Sequence, residues 1–219
     1  NEKGGDRSII PWGMKATLFA LFVGLLMVGC EDDSPSTGDP KLDKFLNEAI
    51  DAEEIRIEGE EGEELYYAPN EQTPYTGWVK EVYYNGQINS LGQYKDGRRD
   101  GLMTMWHQNG HKKGESNYKD GKAHGLETFW YYNGQKRAEL NLKDGKYDGL
   151  TTRWYVNGQK ESESNWKDGK LWTAVAWKPN GEKCPKTNVK DGNGVWVWYR
   201  EDGTEYYRAT YKDGERVRD

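Results

Sequence analysis

Three histidines and two cysteines are the residues of this 219-residue chain best suited to metal binding or nucleophilic chemistry. His107 and His111 flank an Asn-Gly pair, so a tight turn would place their imidazoles close enough to share a metal ion. No second ligand type is arranged beside them, and a zinc site requires three or four ligands. Cys184 has no nearby histidine in the sequence to activate it as a nucleophile. We therefore predict no catalytic residue, no metal and no cofactor, and we expect a protein that is not an enzyme.

A regularly spaced aspartate raises the question of calcium binding, because it recurs in six Lys-Asp-Gly triplets. In a sheet, neighbouring copies would lie two strands apart, about 9.5 Å, whereas calcium binds its oxygen ligands at about 2.4 Å. Asp-Gly is also a preferred turn sequence. The pattern therefore favours turns over calcium sites at Asp96, Asp120, Asp144, Asp168, Asp191 and Asp213.

These residues belong to an internal repeat. Asn-Gly pairs recur five times between residues 85 and 181, with Asp202-Gly203 as a sixth copy, and the glycines of the Lys-Asp-Gly triplets lie 24, 24, 24, 23 and 22 residues apart. Such a period indicates one supersecondary unit repeated in a stack, and two strand-forming runs separated by glycine turns predict a β-hairpin. We predict an all-β repeat array in which antiparallel hairpins of about 24 residues form one long, twisted, single-layer sheet, with a short N-terminal α-helix. Six hairpin repeats would occupy residues 75–219.

The length of the loops decides which side chains share a face of the sheet. A three-residue loop Gln108–Gly110, followed by a three-residue loop Lys119–Gly121, makes one face apolar throughout the array. The same reading predicts that the 23-residue spacing near Gly169 requires a changed turn type or a lost bulge. The side chains expected on one face of the first complete unit are Leu102, Thr104, Trp106, Gly114, Ser116 and Tyr118.

The opposite, solvent-facing side is the candidate binding face. Exposed aromatic side chains flanked by mixed charges suit contact with a protein or a glycan. The alternative is that cross-strand tyrosines only stabilise the sheet. The candidate residues form an aromatic row, Tyr83, His107, Tyr131 and Tyr155, and an amide row, Asn117, Asn141, Asn165 and Asn188.

The N-terminal residues predict that the protein is located in the bacterial cell envelope. Residues 1–29 comprise upstream sequence and a short apolar run that is typical of a secretory signal. The run ends in Leu26-Met-Val-Gly-Cys30, which resembles the bacterial lipobox and implies cleavage before Cys30 and lipid on its sulfur. Residues 30–40 are a polar, acidic tether. We expect the protein to be lipid-anchored in the bacterial envelope, at the outer membrane or cell surface.

Residues 41–74 predict a helix and an irregular first β unit. Asp39-Pro40 would start the helix, an apolar stripe from Leu42 to Ile50 would face the sheet, and the helix would end near Ala52. The strands are expected at residues 55–57 and 65–67.

The charge is distributed unevenly along the chain: residues 31–74 carry 3 basic and 15 acidic side chains, and residues 75–219 carry 25 basic and 20 acidic ones. No dense basic patch appears, so we do not expect a nucleic-acid partner.

The repeat pattern Trp-Tyr-x-Asn-Gly-Gln-Lys followed by Tyr-Lys-Asp-Gly-Lys-x-x-Gly resembles the variant of the MORN repeat. Residues 73–77, Thr-Pro-Tyr-Thr-Gly, look like the entry to the array in YwqK-type antitoxins. The resemblance spans residues 64–214 and implies a string of antiparallel hairpins. It leads to three functional hypotheses: a membrane-anchored, non-catalytic scaffold for a protein partner, a module that binds cell-wall glycan or phospholipid headgroups, and an antitoxin or immunity protein.

Overall fold

The computed structural model describes residues 35–61 and 63–217, all within one compact unit that spans residues 34–219. The predicted signal segment and Cys30 lie outside the described residues. No helix in residues 35–61 or 63–217 is long and apolar enough to cross a membrane.

The one α-helix of these residues, α1, is Pro40–Leu46, and a 3-10 turn follows at Ala52–Glu54. The strands are β1 (Ile50–Asp51), β2 (Arg56–Glu58), β3 (Leu65–Tyr67), β4 (Gly77–Val82), β5 (Ile88–Lys95), β6 (Arg98–Trp106), β7 (Lys112–Lys119), β8 (Lys122–Ala123), β9 (Gly125–Trp130), β10 (Lys136–Lys143), β11 (Lys146–Trp154), β12 (Lys160–Lys167), β13 (Lys170–Ala176), β14 (Gly194–Tyr199), β15 (Glu205–Lys212) and β16 (Glu215–Arg216).

Successive hairpins build one long sheet. Ten of its eleven strands follow the order β1-β4-β5-β6-β7-β9-β10-β11-β12-β13, and the eleventh, β8, pairs with β7. Every pairing in this sheet is antiparallel except that of β1 with β4. Strands β14, β15 and β16 form a separate three-stranded sheet, and β2 pairs with β3. The predicted fold class, an array of antiparallel hairpins with a short N-terminal helix, is confirmed.

The helix α1 is shorter than the sequence predicts. The Asp39 side chain accepts a hydrogen bond from the Lys41 amide, and Pro40 occupies the first turn, as expected. The helix ends at Leu46, with Asn47 as its C-cap, rather than near Ala52. The extension fails because Ile50–Asp51 leaves the helix to form β1, which pairs with Val79 and Lys80 at the sheet edge.

The Asn-Gly turns have the predicted length. In the first complete hairpin, the His107 amide donates to the His111 carbonyl at 2.8 Å, and the Gly110 amide donates to the His107 carbonyl at 2.9 Å. Three residues, Gln108 to Gly110, therefore form the loop. Gly110 has a φ of 82°, a conformation that glycine adopts without steric cost.

The predicted common face is nevertheless wrong, because a β-bulge follows the loop. Trp106 pairs with Lys112, but Met105 pairs with Gly114, so Lys113 is an extra residue in β7. One extra residue moves every later side chain of the strand to the other face. Gly114, Ser116 and Tyr118 consequently lie opposite to Leu102, Thr104 and Trp106, and the same shift occurs in the neighbouring hairpins.

The Lys-Asp-Gly loops have two residues rather than the predicted three. Lys119 pairs with Lys122, and Asp120 and Gly121 have φ values of 48° and 79°. Positive φ at both central residues defines the type I′ turn, which matches the twist of a hairpin and favours Asp-Gly or Asn-Gly. All six aspartates of the predicted turns have φ between 48° and 51°, so the turn role inferred for this column is confirmed.

The short repeat loses a bulge residue, which is one of the two predicted alternatives. Between β5 and β6, Tyr94 pairs with Arg99 and Gly92 with Met103, so β6 contains two extra residues. At the 23-residue spacing, Trp166 pairs with Leu171 and Asn165 with Thr173, which leaves one extra residue. The turn type is unchanged, because residues 168 and 169 have φ values of 51° and 82°.

The sheet thus has two distinct faces. The tryptophan face contains Leu102, Thr104 and Trp106 and their equivalents, including Trp130 and Trp154. The small-residue face contains Gly114, Ser116, Ala138, Ser162 and Ser164, and the serines are at most 2% exposed.

Helix α1 covers the tryptophan face at the N-terminal end. Leu42 and Leu46 pack with Ile88, Leu91 and Trp106 in one buried cluster. Ile88 and Leu91 lie on β5, the second strand of the first hairpin. On β7, the second strand of the next hairpin, the corresponding residues form the ion pair Lys112–Glu115, at 2.5 Å, and equivalent ion pairs occur on β10 and β12. The side chains on the second strands therefore change from apolar to charged where the helix no longer covers them.

A second core closes the C-terminal end. Leu171, Cys184, Val197 and Tyr199 are buried there with parts of β13 and the segment that leads to β14. Trp166, Trp198 and Tyr211 pack around this cluster. The segment joins the two sheets through the Asn188 amide, which donates to Val195, and the Val189 carbonyl, which accepts from Ala174.

Candidate interaction site

The predicted aromatic row forms a hydrogen-bond ladder between repeats. Each member lies directly after the first strand of its hairpin. Its side chain contacts a main-chain carbonyl in the next repeat, that of the residue just before the corresponding position of the row. A tyrosine hydroxyl has the length to make this contact, and a histidine ring nitrogen replaces it once. The contacts are Tyr83 to Trp106 at 2.8 Å, His107 Nε2 to Trp130 at 3.1 Å, Tyr131 to Trp154 at 2.7 Å and Tyr155 to Trp177 at 2.8 Å.

The turn asparagines form a second ladder that sequence reasoning missed. Asn109 accepts a hydrogen bond from the His111 amide through Oδ1, and donates through Nδ2 to the Tyr132 carbonyl of the next repeat at 2.8 Å. Asn133 and Asn157 make the equivalent pair of contacts. The signal was present in the sequence: this row of turns contains Asn, which both donates and accepts, whereas the Lys-Asp-Gly row contains Asp.

The structure does not bring the predicted amide row to the same surface as the aromatic row. Asn117 pairs with Leu102 and Asn141 with Leu126, so these residues lie on the tryptophan face. Tyr131 lies on the other side, near Arg153, which pairs with Ala138 of the small-residue face. The cause is again the bulge after each Asn-Gly loop. The amides also make internal contacts: Asn141 to the Leu150 carbonyl, Asn165 to Thr173 Oγ1, and Asn188 Oδ1 from the Val195 amide.

The histidines and Cys184 are engaged in internal contacts. His111 Nδ1 lies 3.2 Å from the Tyr132 carbonyl, and His107 Nε2 lies 3.1 Å from the Trp130 carbonyl. Among residues 35–61 and 63–217, no group of three or more His, Cys, Asp or Glu side chains could hold a metal ion. Cys184 is buried, with Sγ 2.7 Å from the Tyr199 hydroxyl. Burial alone would raise the pKa of this thiol, but hydrogen bonds from Tyr199 and Thr187 outweigh it and lower the pKa.

Two residues of the predicted aromatic row meet the β14–β15 hairpin and form a groove with it. This cavity, of about 560 Å³, is called the tyrosine groove below. Sequence reasoning identified Tyr131 and Tyr155 but missed the others. Tyr199 to Tyr206 lie more than 40 residues further along the chain, and no local sequence pattern predicts that they approach Tyr131 and Tyr155. The lining residues are Tyr131, Tyr155, Glu161, Tyr199, Arg200, Glu201, Asp202 and Tyr206.

Burial and negative charge set the electrostatics of the tyrosine groove. Burial is the main cause of the raised pKa of the Glu161 carboxyl; Arg153 opposes it, Glu201 raises the pKa by less than Arg153 lowers it, and Arg137 also lowers it. Burial is also the largest cause of the raised pKa of both Tyr131 and Tyr155, followed in each case by Glu161 and Glu201. The groove is therefore an aromatic site with an excess of negative charge.

Two adjacent hairpins carry a recognisable family signature. Residues 99–120 and 123–144 match the family model described as MORN repeat variant. This chain contains MORN repeat variants. The matched residues cover β6–β7 and β9–β10, and the hairpins on either side repeat the same turns. MORN repeats are generally modules for protein or membrane interaction and are generally non-catalytic. No curated protein shows significant similarity to the chain.

Proposed function

We propose that this MORN-repeat protein is a lipid-anchored, non-catalytic scaffold that binds another protein at the bacterial cell envelope. The tyrosine groove is the proposed contact site, and it is the observation that carries the proposal. Tyrosine and arginine are enriched among the residues that dominate binding energy at protein interfaces. The groove concentrates four tyrosines and Arg200, and hydrogen bonds to main-chain carbonyls hold Tyr131 and Tyr155 in place.

The anchor is a separate part of the proposal and is supported by the lipobox-like segment ending at Cys30. Acyl chains on one cysteine would supply membrane affinity, because each buried methylene contributes about 0.8 kcal/mol. Metabolic labelling with an alkyne fatty acid tests this directly. We expect label on the full chain and none on Cys30→Ser. Equal labelling of both proteins, or of neither, refutes the anchor without affecting the groove.

Site-specific photo-crosslinking tests the protein-binding role. A benzophenone amino acid is placed at Tyr206, whose side chain is 52% exposed at the groove, in the full chain expressed in its native cells. The matched control carries the same group at Tyr84, which is 93% exposed beside the Asn85-Gly86 turn. We expect a specific protein adduct from position 206 alone. Identical adducts from both positions, or none from position 206, contradict the proposal.

The same experiment separates the other two hypotheses. A captured protein that is toxic when expressed alone and harmless together with this chain would make the scaffold an antitoxin. Co-sedimentation with peptidoglycan or liposomes in the absence of any protein adduct would instead favour a glycan- or headgroup-binding module.

A further inference from the structure

The charged groups of the tyrosine groove do not balance one another. Its lining contains three carboxylates, Glu161, Glu201 and Asp202, and one basic side chain, Arg200. Asp202 is occupied within its own turn, where it accepts hydrogen bonds from the Thr204 amide and hydroxyl. Within the described residues, neither Glu161 nor Glu201 forms a salt bridge. The groove therefore holds two carboxylates without a direct cationic partner.

The nearest basic groups offset this charge only in part: Arg153 outweighs Glu201 at the Glu161 carboxyl, but not at the ring of Tyr131. Arg200 lies over the ring of Tyr206, with its guanidinium carbon 5.7 Å from the ring centre. Arg137 and Arg153 act on Tyr131 from the neighbouring strands, but their effect on its pKa is smaller than that of Glu161 and Glu201. A cation that enters the groove would thus meet a negative potential and relieve the repulsion between the two carboxylates.

Three of the four groove tyrosines have engaged hydroxyls, and ring faces are accessible at Tyr206 and in part at Tyr131, whereas Tyr155 and Tyr199 are buried. The hydroxyls of Tyr131 and Tyr155 are bound to main-chain carbonyls, and that of Tyr199 lies 2.7 Å from Cys184 Sγ. These contacts hold the rings in place before any ligand arrives. An aromatic face within about 6 Å attracts a cation, and arginine makes this contact more often than lysine. A ligand recognised mainly through hydrogen bonds, such as a sugar, would find few free partners on these three residues.

We infer that the tyrosine groove receives a basic side chain, arginine or lysine, from the protein partner. The inference rests on the proposed protein-binding function and specifies the chemistry of its partner. The accessible rings, Tyr206 and the partly exposed Tyr131, contact the apolar stem and the cation, and Glu161 and Glu201 neutralise its charge. The contact between Arg200 and Tyr206 shows, within the same groove, how a guanidinium lies on one of these rings. A cavity of about 560 Å³ is large enough for the basic side chain together with a short stretch of its chain.

Fluorescence anisotropy with defined peptides tests the inference on the full chain. The probe is a fluorescein-labelled glycine-serine peptide with two arginines. The matched probe carries citrulline, which has nearly the shape of arginine but no charge, at the same two positions. We expect the arginine peptide to bind up to about fivefold more tightly, since a partly exposed ion pair contributes up to about 1 kcal/mol. Its binding should weaken as salt is raised.

Two variants locate the binding site. Glu201→Gln removes one carboxylate with almost no change in shape, and Tyr206→Ala removes an exposed ring. Each should weaken binding of the arginine peptide by about twofold to fivefold, the range of exposed ion-pair and cation–π contacts. The controls Glu48→Gln and Tyr84→Ala, at exposed positions outside the groove, should bind as the parent does. Tryptophan fluorescence and far-UV circular dichroism establish that each variant is folded.

Equal binding of the arginine and citrulline peptides overturns the inference, as does an unchanged affinity in folded Glu201→Gln. Failure of the protein-binding function gives a different result, namely the absence of any specific adduct from position 206. A protein adduct from position 206 combined with equal binding of the two peptides would refute the basic side chain and leave the scaffold function standing.

Discussion

The hydrogen bond from Tyr155 to the next repeat provides a direct test of how the array is held together. Tyr155 is 3% exposed, and its hydroxyl lies 2.8 Å from the Trp177 carbonyl. Tyr155→Phe keeps the ring and removes the donor, and water has little access to replace it. Leaving a buried acceptor without its partner costs about 1–3 kcal/mol, so we expect the free energy of unfolding to fall by about 1–1.5 kcal/mol.

The expected loss should be smaller where water reaches the same contact. Tyr83 makes the equivalent bond to Trp106 at 2.8 Å but is only partly buried, so Tyr83→Phe should cost about 0.5 kcal/mol. Tyr84→Phe, at a ring that is 93% exposed, is the control and should change nothing measurable. Urea unfolding followed by tryptophan fluorescence gives the free energies, provided that the slope with denaturant is unchanged.

Repeat arrays unfold in parts when their cooperativity breaks down, so a local measurement is needed as well. Hydrogen exchange at the Tyr155 amide, which donates to the Gln159 carbonyl, reports the opening of that hairpin. Tyr155→Phe should accelerate this exchange about fivefold to tenfold if local opening governs it. A variant that matches Tyr84→Phe within about 0.3 kcal/mol, and exchanges at the parent rate, would refute the idea that the ladder stabilises the array.

Four further substitutions test other parts of the structure. Gly192 and Gly203 have φ values of 78° and 80°, but a Cβ at 192 would lie 2.6 Å from a main-chain nitrogen, whereas one at 203 meets nothing within 4 Å. Gly203→Ala should therefore cost about 1 kcal/mol for the left-handed conformation alone, and Gly192→Ala should cost clearly more, in thermal unfolding. Burial raises the pKa of the Glu127 carboxyl, so the folded state binds its proton more tightly than the unfolded chain does, and stability should fall as pH rises through that interval. Glu127→Gln should remove this dependence and raise stability at neutral pH by about 1 kcal/mol in urea titrations at several pH values; a pH profile unchanged from the parent would contradict the assignment. His107→Tyr restores the residue found at the equivalent positions and should stabilise the protein by about 0.5 kcal/mol, whereas a clear loss of stability would show that the histidine is specifically required.

The sequence was sufficient to predict the repeat unit, because turn residues and strand periodicity are local properties. The three-residue Asn-Gly loop was predicted because it made one face of the sheet apolar; its length is confirmed at Gly110, although the common face is wrong. The error came from Lys113. A bulge depends on how two strands twist against each other, and no side chain marks it as a glycine marks a turn. One unmarked residue reversed the face of the second strand in five hairpins: β4–β5, β6–β7, β9–β10, β11–β12 and β14–β15.

The candidate site was harder to predict than the fold. The tyrosine row was recognised as a row, but its hydroxyl contacts join one repeat to the next, and a pattern within a single repeat cannot show them. The groove requires Glu201 and Tyr206 to approach Tyr131 from another hairpin. That approach depends on the break between the eleven-stranded and three-stranded sheets, which the sequence shows only as shortened spacings and two added prolines, Pro179 and Pro185.

The departure from the repeat at Asp202 is what makes the groove recognisable in retrospect. At the five preceding turns of this row the residue is Asn, and between repeats the Asn side chain can donate to the next turn. A carboxylate at Asp202 still accepts the Thr204 amide, so the turn keeps its shape, but it has no proton to donate onward. At the position that the aromatic row occupies in the earlier hairpins, this hairpin carries Arg200. Its guanidinium lies over the ring of Tyr206 instead of binding a carbonyl of another repeat. Both residues that join one repeat to the next are thus replaced in the hairpin that forms the groove, as expected if this hairpin is adapted to binding rather than to extending the array.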